Sequence, residues 1–194
     1  EIGFNWRSGA TSLSGSYYRS ESEFGVSLST DPVTGDFVMN RGPTKIDGIE
    51  LTGSYAFNDD LKVNAMYSHI VGKTWFTRGG PLDKRMGAND VSPDKIGANL
   101  FWRATPALDL HVGAIALLSR TINQGSSGAE HTSGRVLWDL SMNYKTDGFG
   151  TLTLGLENLL DKQYILTTSE ASNSNDDWMA GRGRVISLSH NITF

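Results

Sequence analysis

Residues 48–70, GIELTGSYAFNDDLKVNAMYSHI, hold two stretches in which apolar and polar side chains alternate. A period of two is typical of β-strands, because successive side chains of a strand point to opposite faces. The two stretches are separated by Asn58-Asp59-Asp60, which has the composition of a tight turn. This segment therefore predicts an antiparallel hairpin with one apolar face and one polar face.

The same alternation continues on both sides of the hairpin and predicts about nine strands, most of them near 10 residues long. Strands of soluble domains average roughly 5 to 6 residues, whereas a tilted strand needs about 10 to cross a bilayer. Aromatic residues stand mostly near the expected strand ends on the apolar parity, as in the interfacial girdles of membrane barrels. These aromatic residues are Trp6, Tyr17, Tyr55, Phe57, Trp102, Trp138, Tyr144 and Phe194.

The connections between the expected strands alternate between short and long. Short turns are expected at 8–10, 58–60, 105–107 and 146–148, and long polar loops near 29–45, 72–94, 120–134 and 167–183. Outer-membrane barrels have this pattern, with tight turns on one rim and long loops on the other. We therefore predict an all-β fold, an antiparallel transmembrane β-barrel segment. Because ordinary bacterial barrels close with an even number of strands, an odd count indicates part of a larger barrel, with further strands upstream.

Composition excludes several other classes. The longest apolar run, 112–118, is far shorter than the roughly 20 residues of a spanning helix. The net charge of −4 argues against nucleic-acid binding. The chain has no Cys, and its four His residues lack metal-ligand spacing. We therefore expect no enzymatic activity, no metal site and no cofactor.

Two stretches near the end of the chain resemble the carboxy-terminal signature of TonB-dependent outer-membrane receptors. They are TLTLGLENLLDKQY at 151–164 and GRGRVISLSHNITF at 181–194. Residues 48–70 and 92–113 also resemble barrel strands of that family. The residues that match the terminal motif are Asn158, Leu159, Leu160, Asp161, Lys162, Tyr164, Gly183, Arg184 and Phe194. On this resemblance the motif is a structural corner, in which Asn158 and Asp161 bond the backbone and Tyr164 resumes the strand.

The resemblance implies the rest of the molecule. Receptors of this family have 22-stranded barrels plugged by an amino-terminal domain, so residues 1–194 would be the carboxy-terminal portion. The plug and the TonB box would lie upstream. The implied location is the bacterial outer membrane, among lipid and lipopolysaccharide. The implied function is import of a ferric siderophore, energised by TonB and its inner-membrane complex, with iron only as part of the transported chelate.

Ligand contacts are expected on the long loops. The loop at 72–92 is aromatic and net basic within an acidic chain, which suits an anionic ferric chelate. The alternative is that its cations contact lipopolysaccharide phosphates. The candidate ligand-binding residues on this loop and the last one are Trp75, Phe76, Arg78, Lys84, Arg85, Trp178 and Arg182.

Two other classes stay open at this point. A free-standing outer-membrane barrel enzyme, of the lipase or protease type, would need an even strand number and a catalytic group at one rim. A soluble carbohydrate-binding β-sandwich would bury the leucines between two sheets.

Overall fold

The computed structural model describes residues 1–30, 33–34, 36–76, 79–123, 125, 128–171 and 178–192. The strands in chain order are β1 (Ile2–Ser8), β2 (Thr11–Thr30), β3 (Phe37–Ala56), β4 (Leu61–Thr74), β5 (Lys84–Arg85), β6 (Lys95–Thr105), β7 (Leu108–Leu117), β8 (Arg120–Asn123), β9 (Ala129–Thr132), β10 (Arg135–Thr146), β11 (Gly150–Glu157) and β12 (Val185–Asn191). A single helical turn, α1 (Thr167–Glu170), precedes β12. Among the described residues no helix is long and apolar enough to cross a membrane.

Nine strands form the path of one antiparallel sheet. Their order is β1-β2-β3-β4-β6-β7-β10-β11-β12, and β5 pairs with β4 beside this path. The remaining pair, β8 and β9, forms a separate hairpin. This arrangement confirms the predicted all-β antiparallel fold. Each sheet strand pairs with the next sheet strand along the chain, so the connections fall alternately at the two ends of the sheet.

The short turns lie where the sequence predicts them. At the turn between β3 and β4, Asn58 Oδ1 accepts hydrogen bonds from the N–H of Asp60 (2.9 Å) and of Leu61 (2.8 Å). A side chain thus replaces backbone partners at this turn, which is the usual role of Asn there.

The first predicted long loop, 29–45, is wrong. Strand β2 continues to Thr30, and β3 begins at Phe37, so the two strands form a ribbon that extends past its neighbours. The alternation of Phe24, Val26 and Leu28 with Gly25, Ser27 and Ser29 predicts a strand in the second half of β2, and the long-loop interpretation did not follow it to the end. The three other predicted loops also contain elements: 72–94 holds β5, 120–134 holds β8 and β9, and 167–183 holds α1.

The two faces of the sheet differ as the alternation predicts. On the apolar face large side chains are exposed, including Leu100 at 37 %, Trp102 at 46 % and Leu188 at 73 %. The opposite face is polar and is bridged by Ser12–Ser54 (2.6 Å) and other hydroxyl and amide contacts. The leucines are not buried between two sheets, so the sandwich alternative is wrong.

The buried apolar residues of the described chain lie at one end of the sheet, among the long connections. They are Met86, Ala88, Val91, Ile122 and Ala171. The core therefore sits at a rim of the sheet and not between layers.

Candidate ligand-binding rim

Three long connections lie at the same end of the sheet: 75–94, 118–134 and 158–184. We call these residues the rim. Glu170 Oε2 accepts a hydrogen bond from the N–H of Ser133 at 2.9 Å, which joins the last connection to the middle one. The rim is therefore one packed unit.

The first of these connections folds over the polar face of the sheet. Gly72 lies on the polar parity of β4, with Asn64 and Ser68. A Cβ atom at Gly72 would lie 2.5 Å from Met86 Sδ and 2.7 Å from Val91 Cγ2. Only glycine allows this close approach. The connection thus covers the polar face of the sheet at the rim.

A buried ion pair holds this connection against the β8–β9 hairpin. Arg120 donates to the carbonyl oxygens of Val91 (2.8 Å) and Ser92 (3.3 Å). Glu130 Oε1 accepts from the N–H of Ala88 (2.8 Å) and lies 4.0 Å from an Arg120 nitrogen. Burial lowers the pKa of Arg120, and the charge of Glu130 acts in the opposite direction. We refer to Arg120 and Glu130 as the latch.

Sequence reasoning missed the latch because it treated 120–134 as a polar loop. The available signal was the short alternation of Arg120 to Asn123 and Ala129 to Thr132 around two glycines. Thr132 is 1 % exposed, and its hydroxyl donates to the carbonyl oxygen of Arg120 at 3.3 Å. A polar side chain buried this deeply indicates a packed element.

Phe76 and Lys84 are the candidate ligand-binding residues that the structure brings together. The Nζ atom of Lys84 lies 6.0 Å from the centroid of the exposed Phe76 ring. Lys84 pairs with Thr74 of β4, which shares the polar parity of Gly72. The pair therefore presents a cation and an aromatic ring on the polar side of the rim.

The other candidate ligand-binding residues on the same connection do not join Phe76 and Lys84. Arg85 pairs with Lys73 and so lies on the opposite face from Lys84. The indole of Trp75 packs on Gly42 of β3, where a Cβ atom would lie 2.8 Å from its Nε1. Arg78 lies outside the described residues.

Trp178 and Arg182 belong to the last connection. Trp178 is half exposed, beside Met179, whose N–H donates to Ser169 Oγ at 2.7 Å. Arg182 forms an exposed ion pair with Glu157 at 3.3 Å. The structure therefore places Arg182 at the end of β11 and next to the structural corner.

Asn158 organises that corner. It has a left-handed φ of 49° and is 5 % exposed. Its Nδ2 donates to the carbonyl oxygens of Lys162 (2.9 Å) and Arg182 (3.0 Å), and its Oδ1 accepts from the N–H of Lys162 (2.9 Å). Asn tolerates the left-handed region better than most residues because its short side chain bonds locally. One side chain thus joins both ends of the last connection.

Asp161 continues the corner with a φ of 52°. Its Oδ1 accepts a hydrogen bond from the N–H of Arg184 at 2.8 Å, and a Cβ atom at Gly183 would lie 3.3 Å from the same oxygen. The N–H of Leu159 donates to the carbonyl oxygen of Trp138 at 2.6 Å. These contacts fix the position of the backbone just before β12, which begins at Val185.

Tyr164 does not resume a strand, so that expectation is wrong. Its ring lies against Gly181, and the guanidinium of Arg135 sits 4.8 Å from the ring centroid. Among the described residues between Tyr164 and β12, strand pairing is limited to an isolated bridge, Ile165 to Ala180. The hydrogen bonds of the corner turn the chain into the rim instead of along the sheet. Phe194, the last residue of the motif, lies outside the described residues.

In the part of the chain that the structure describes, no three His, Cys, Asp or Glu side chains group as a metal site would require. At the rim, Lys84 and Phe76 offer a positive charge and an aromatic ring.

Comparison with known structures agrees with this fold. The copper transporter OprC matches with a TM-score of 0.75 at 15% identity, over 95% of this chain and 29% of that chain. The FrpB iron transporter from Neisseria meningitidis (F3-3 variant) matches with a TM-score of 0.72 at 21% identity, over 96% and 29%. The siderophore receptor PirA from Acinetobacter baumannii matches with a TM-score of 0.65 at 17% identity, over 95% and 30%. The chain spans under a third of the length of each.

The family comparison covers most of the chain. Residues 1–159 match the model described as TonB dependent receptor-like, beta-barrel. Members of that family are transporters of the bacterial outer membrane, so a free-standing barrel enzyme is not supported. The exposed apolar face of the sheet is accordingly the face toward lipid. The chain belongs to the TonB-dependent receptor-like β-barrel family.

Proposed function

We propose that this chain is the carboxy-terminal portion of the barrel of a transporter that imports a ferric siderophore across the outer membrane. Family membership carries the proposal. The names of two structural relatives, an iron transporter and a siderophore receptor, support the ligand class. Iron would then be cargo within the chelate, and the protein would need no cofactor.

The open edges of the sheet support the proposal that this chain is part of a larger barrel. Strands β1 and β12 stand at opposite ends of the sheet order, so each has one edge without a strand partner among the described residues. In lipid each unpaired backbone group costs several kcal/mol. Further strands upstream of residue 1 would cover these edges. A plug with its TonB box would precede them, and TonB would supply the energy for release of the ligand.

The side chains of the rim support the proposal that the ligand is an anion. Lys84 and Phe76 lie on the polar side of the sheet, within the connection 75–94 that the latch holds in place. A cation beside an aromatic ring attracts a negatively charged chelate and stacks on its planar groups. The proposed orientation puts the rim outside the cell, because long connections of outer-membrane barrels are extracellular.

Uptake of radioactive iron by cells that express the complete receptor tests the proposal. The Lys84→Gln variant is expected to raise the half-saturating siderophore concentration about twofold to fivefold, the effect of losing an exposed cation–aromatic contact. Lys73→Gln is the matched control, because Lys73 is a nearby cation on the lipid-facing side. Wild-type uptake is expected to stop in cells without TonB. Energised uptake of copper in place of iron would contradict the ligand assignment.

A further inference from the structure

The tip of the β8–β9 hairpin packs against Phe76 of the first rim connection. Gly125 lies at this tip, and a Cβ atom there would be 2.9 Å from Phe76 Cε1 and 3.2 Å from Phe76 Cδ1. The Phe76 ring therefore lies directly on the Gly125 backbone. The N–H of Gly125 donates to Asn123 Oδ1 at 2.8 Å, and the N–H of Gly128 donates to the Gly125 carbonyl oxygen at 3.1 Å. These hydrogen bonds fix the shape of the tip that supports the ring.

Lys84, the cation beside Phe76, also lies near the hairpin. It belongs to β5, and β5 lies next to β8. Burial raises the pKa of Asp90, and the positive charge of Lys84 acts in the opposite direction. The Lys84 cation is therefore close to the segment that the latch holds.

The latch holds the strands of the hairpin to the same connection. Ala88, whose N–H donates to Glu130 at 2.8 Å, is four residues from Lys84 in sequence. At Gly87 a Cβ atom would lie 2.2 Å from Glu130 Oε2, so the carboxylate packs directly on the Gly87 backbone. The hairpin is thus fixed to the connection at two places, its tip at Phe76 and its strands at the latch.

A displacement of the hairpin would therefore change the environment of Phe76. With the latch open, Gly125 would move away from the ring, and the ring would lose the surface that holds it beside Lys84. A side chain that loses a packed neighbour gains rotamer freedom. A ligand that stacks on the ring would then bind more weakly, because binding would also have to order the side chain.

We propose that the β8–β9 hairpin controls ligand affinity at Phe76 and Lys84. Docked by the latch, the hairpin positions the Phe76 ring through Gly125, and a bound ligand in turn stabilises the docked hairpin. Coupling between two sites is reciprocal, so each changes the equilibrium of the other by the same factor. The inference rests on the proposed function, because it takes Phe76 and Lys84 as contacts for a planar, anionic iron chelate.

Binding of ferric 2,3-dihydroxybenzoate, a planar and anionic chelate, to the complete purified receptor tests the inference, measured by quenching of tryptophan fluorescence. Gly125→Ala is expected to weaken binding about twofold to fivefold, because its Cβ atom would displace the Phe76 ring from Lys84. Gly128→Ala is the matched control. Both glycines have a left-handed φ, 68° and 85°, but a Cβ atom at Gly128 would meet nothing within 4 Å. It should carry similar backbone strain and bind the chelate as the wild type does.

A double variant separates positioning from misfolding. In a Phe76→Leu background the ring is already absent, so Gly125→Ala should weaken binding no further. A general loss of structure would instead weaken binding in both backgrounds.

The reciprocal effect is measured by amide hydrogen exchange of the complete receptor. Glu130→Ala, which opens the latch, should weaken chelate binding. Saturating chelate should then slow the exchange of 86–92 in the wild type by at least the same factor. Glu130→Gln keeps an oxygen acceptor for the Ala88 N–H and should bind the chelate more tightly than Glu130→Ala does.

Equal binding by Gly125→Ala and Gly128→Ala would overturn the inference, and so would unchanged exchange of 86–92 at saturating chelate. If the wild type binds the chelate and Lys84→Gln weakens binding, either of these results leaves the proposed function standing. Absence of chelate binding by the wild type would contradict the proposed function and the inference together. The two failures are therefore distinguishable.

Discussion

In the sheet the large apolar side chains are exposed, whereas at the rim they are buried. Leu100 and Trp102 point away from the polar face toward lipid, but Val91 and Ile122 are 4 % and 3 % exposed. The sheet needs no core of its own because lipid solvates its apolar face and the backbone ladder satisfies its polar groups. The rim stands in water and must bury apolar surface as a soluble protein does.

The polar contacts of the two regions differ in the same way. On the polar face near the short turns, ion pairs are exposed, such as Lys145 with Asp109 at 3.3 Å. At the rim, the latch is almost completely buried, with side-chain exposures of 12 % for Arg120 and 7 % for Glu130. Exposed pairs contribute little to stability, while breaking a buried pair leaves an uncompensated charge. Substitutions should therefore act in the rim and in the sheet by different mechanisms.

The largest effect is expected at the latch. Glu130→Ala leaves the Arg120 cation buried without its carboxylate, which costs about 3 to 5 kcal/mol. Amide hydrogen exchange of the complete receptor should increase at 86–92 and stay unchanged at 96–102. Glu130→Gln is the milder control because it keeps an oxygen acceptor for the Ala88 N–H. Equal protection of 86–92 in Glu130→Ala and wild type would show that the latch does not hold the rim.

A smaller effect is expected on the lipid-facing side of β4. Ala65→Arg places a charge near the middle of the apolar face and should lower the free energy of unfolding by about 2 to 4 kcal/mol. Asn64→Arg, one residue earlier and on the polar face, is the matched control and should cost much less. Urea unfolding of the complete receptor in lipid vesicles measures both. Equal losses would mean that the two faces are not the lipid side and the wet side.

The smallest of the three effects is expected at the corner between sheet and rim. Asn158→Ala removes three side-chain hydrogen bonds and keeps a left-handed φ, so we expect a loss of about 1 to 3 kcal/mol in unfolding free energy. Asn158→Gly loses the same bonds but tolerates that φ, and should be more stable than Asn158→Ala by about 1 kcal/mol. The same urea titration compares them. If Asn158→Ala were the more stable variant, backbone strain at this position would be ruled out.

Sequence reasoning succeeded where one physical rule acts alone. The alternation of β6 and β7 follows from lipid on one side and water on the other, so period-two patterning was sufficient. It failed in the β2–β3 ribbon, where the alternation of Phe24, Val26 and Leu28 was present but was not followed to the end of β2. It also failed at Tyr164, since the corner directs the chain into the rim and away from the sheet.

The candidate ligand-binding site was likewise predicted only in part from the sequence. Composition indicated a basic, aromatic connection, and the structure contains the Phe76–Lys84 pair there. Composition could not divide its cations between two faces, because that depends on which residue of β4 each one pairs with. A shift of one residue would exchange the faces of Lys84 and Arg85.

The sequence by itself determined the all-β class, the apolar and polar faces, the short turns and the resemblance to the family. Each of these depends on side-chain periodicity or on a local motif, and both are encoded within a few neighbouring residues. Only the tertiary structure decided the latch and the fold of the rim over the polar face. These arise from residues distant in sequence that strand register and close packing bring together, and no local pattern specifies that register.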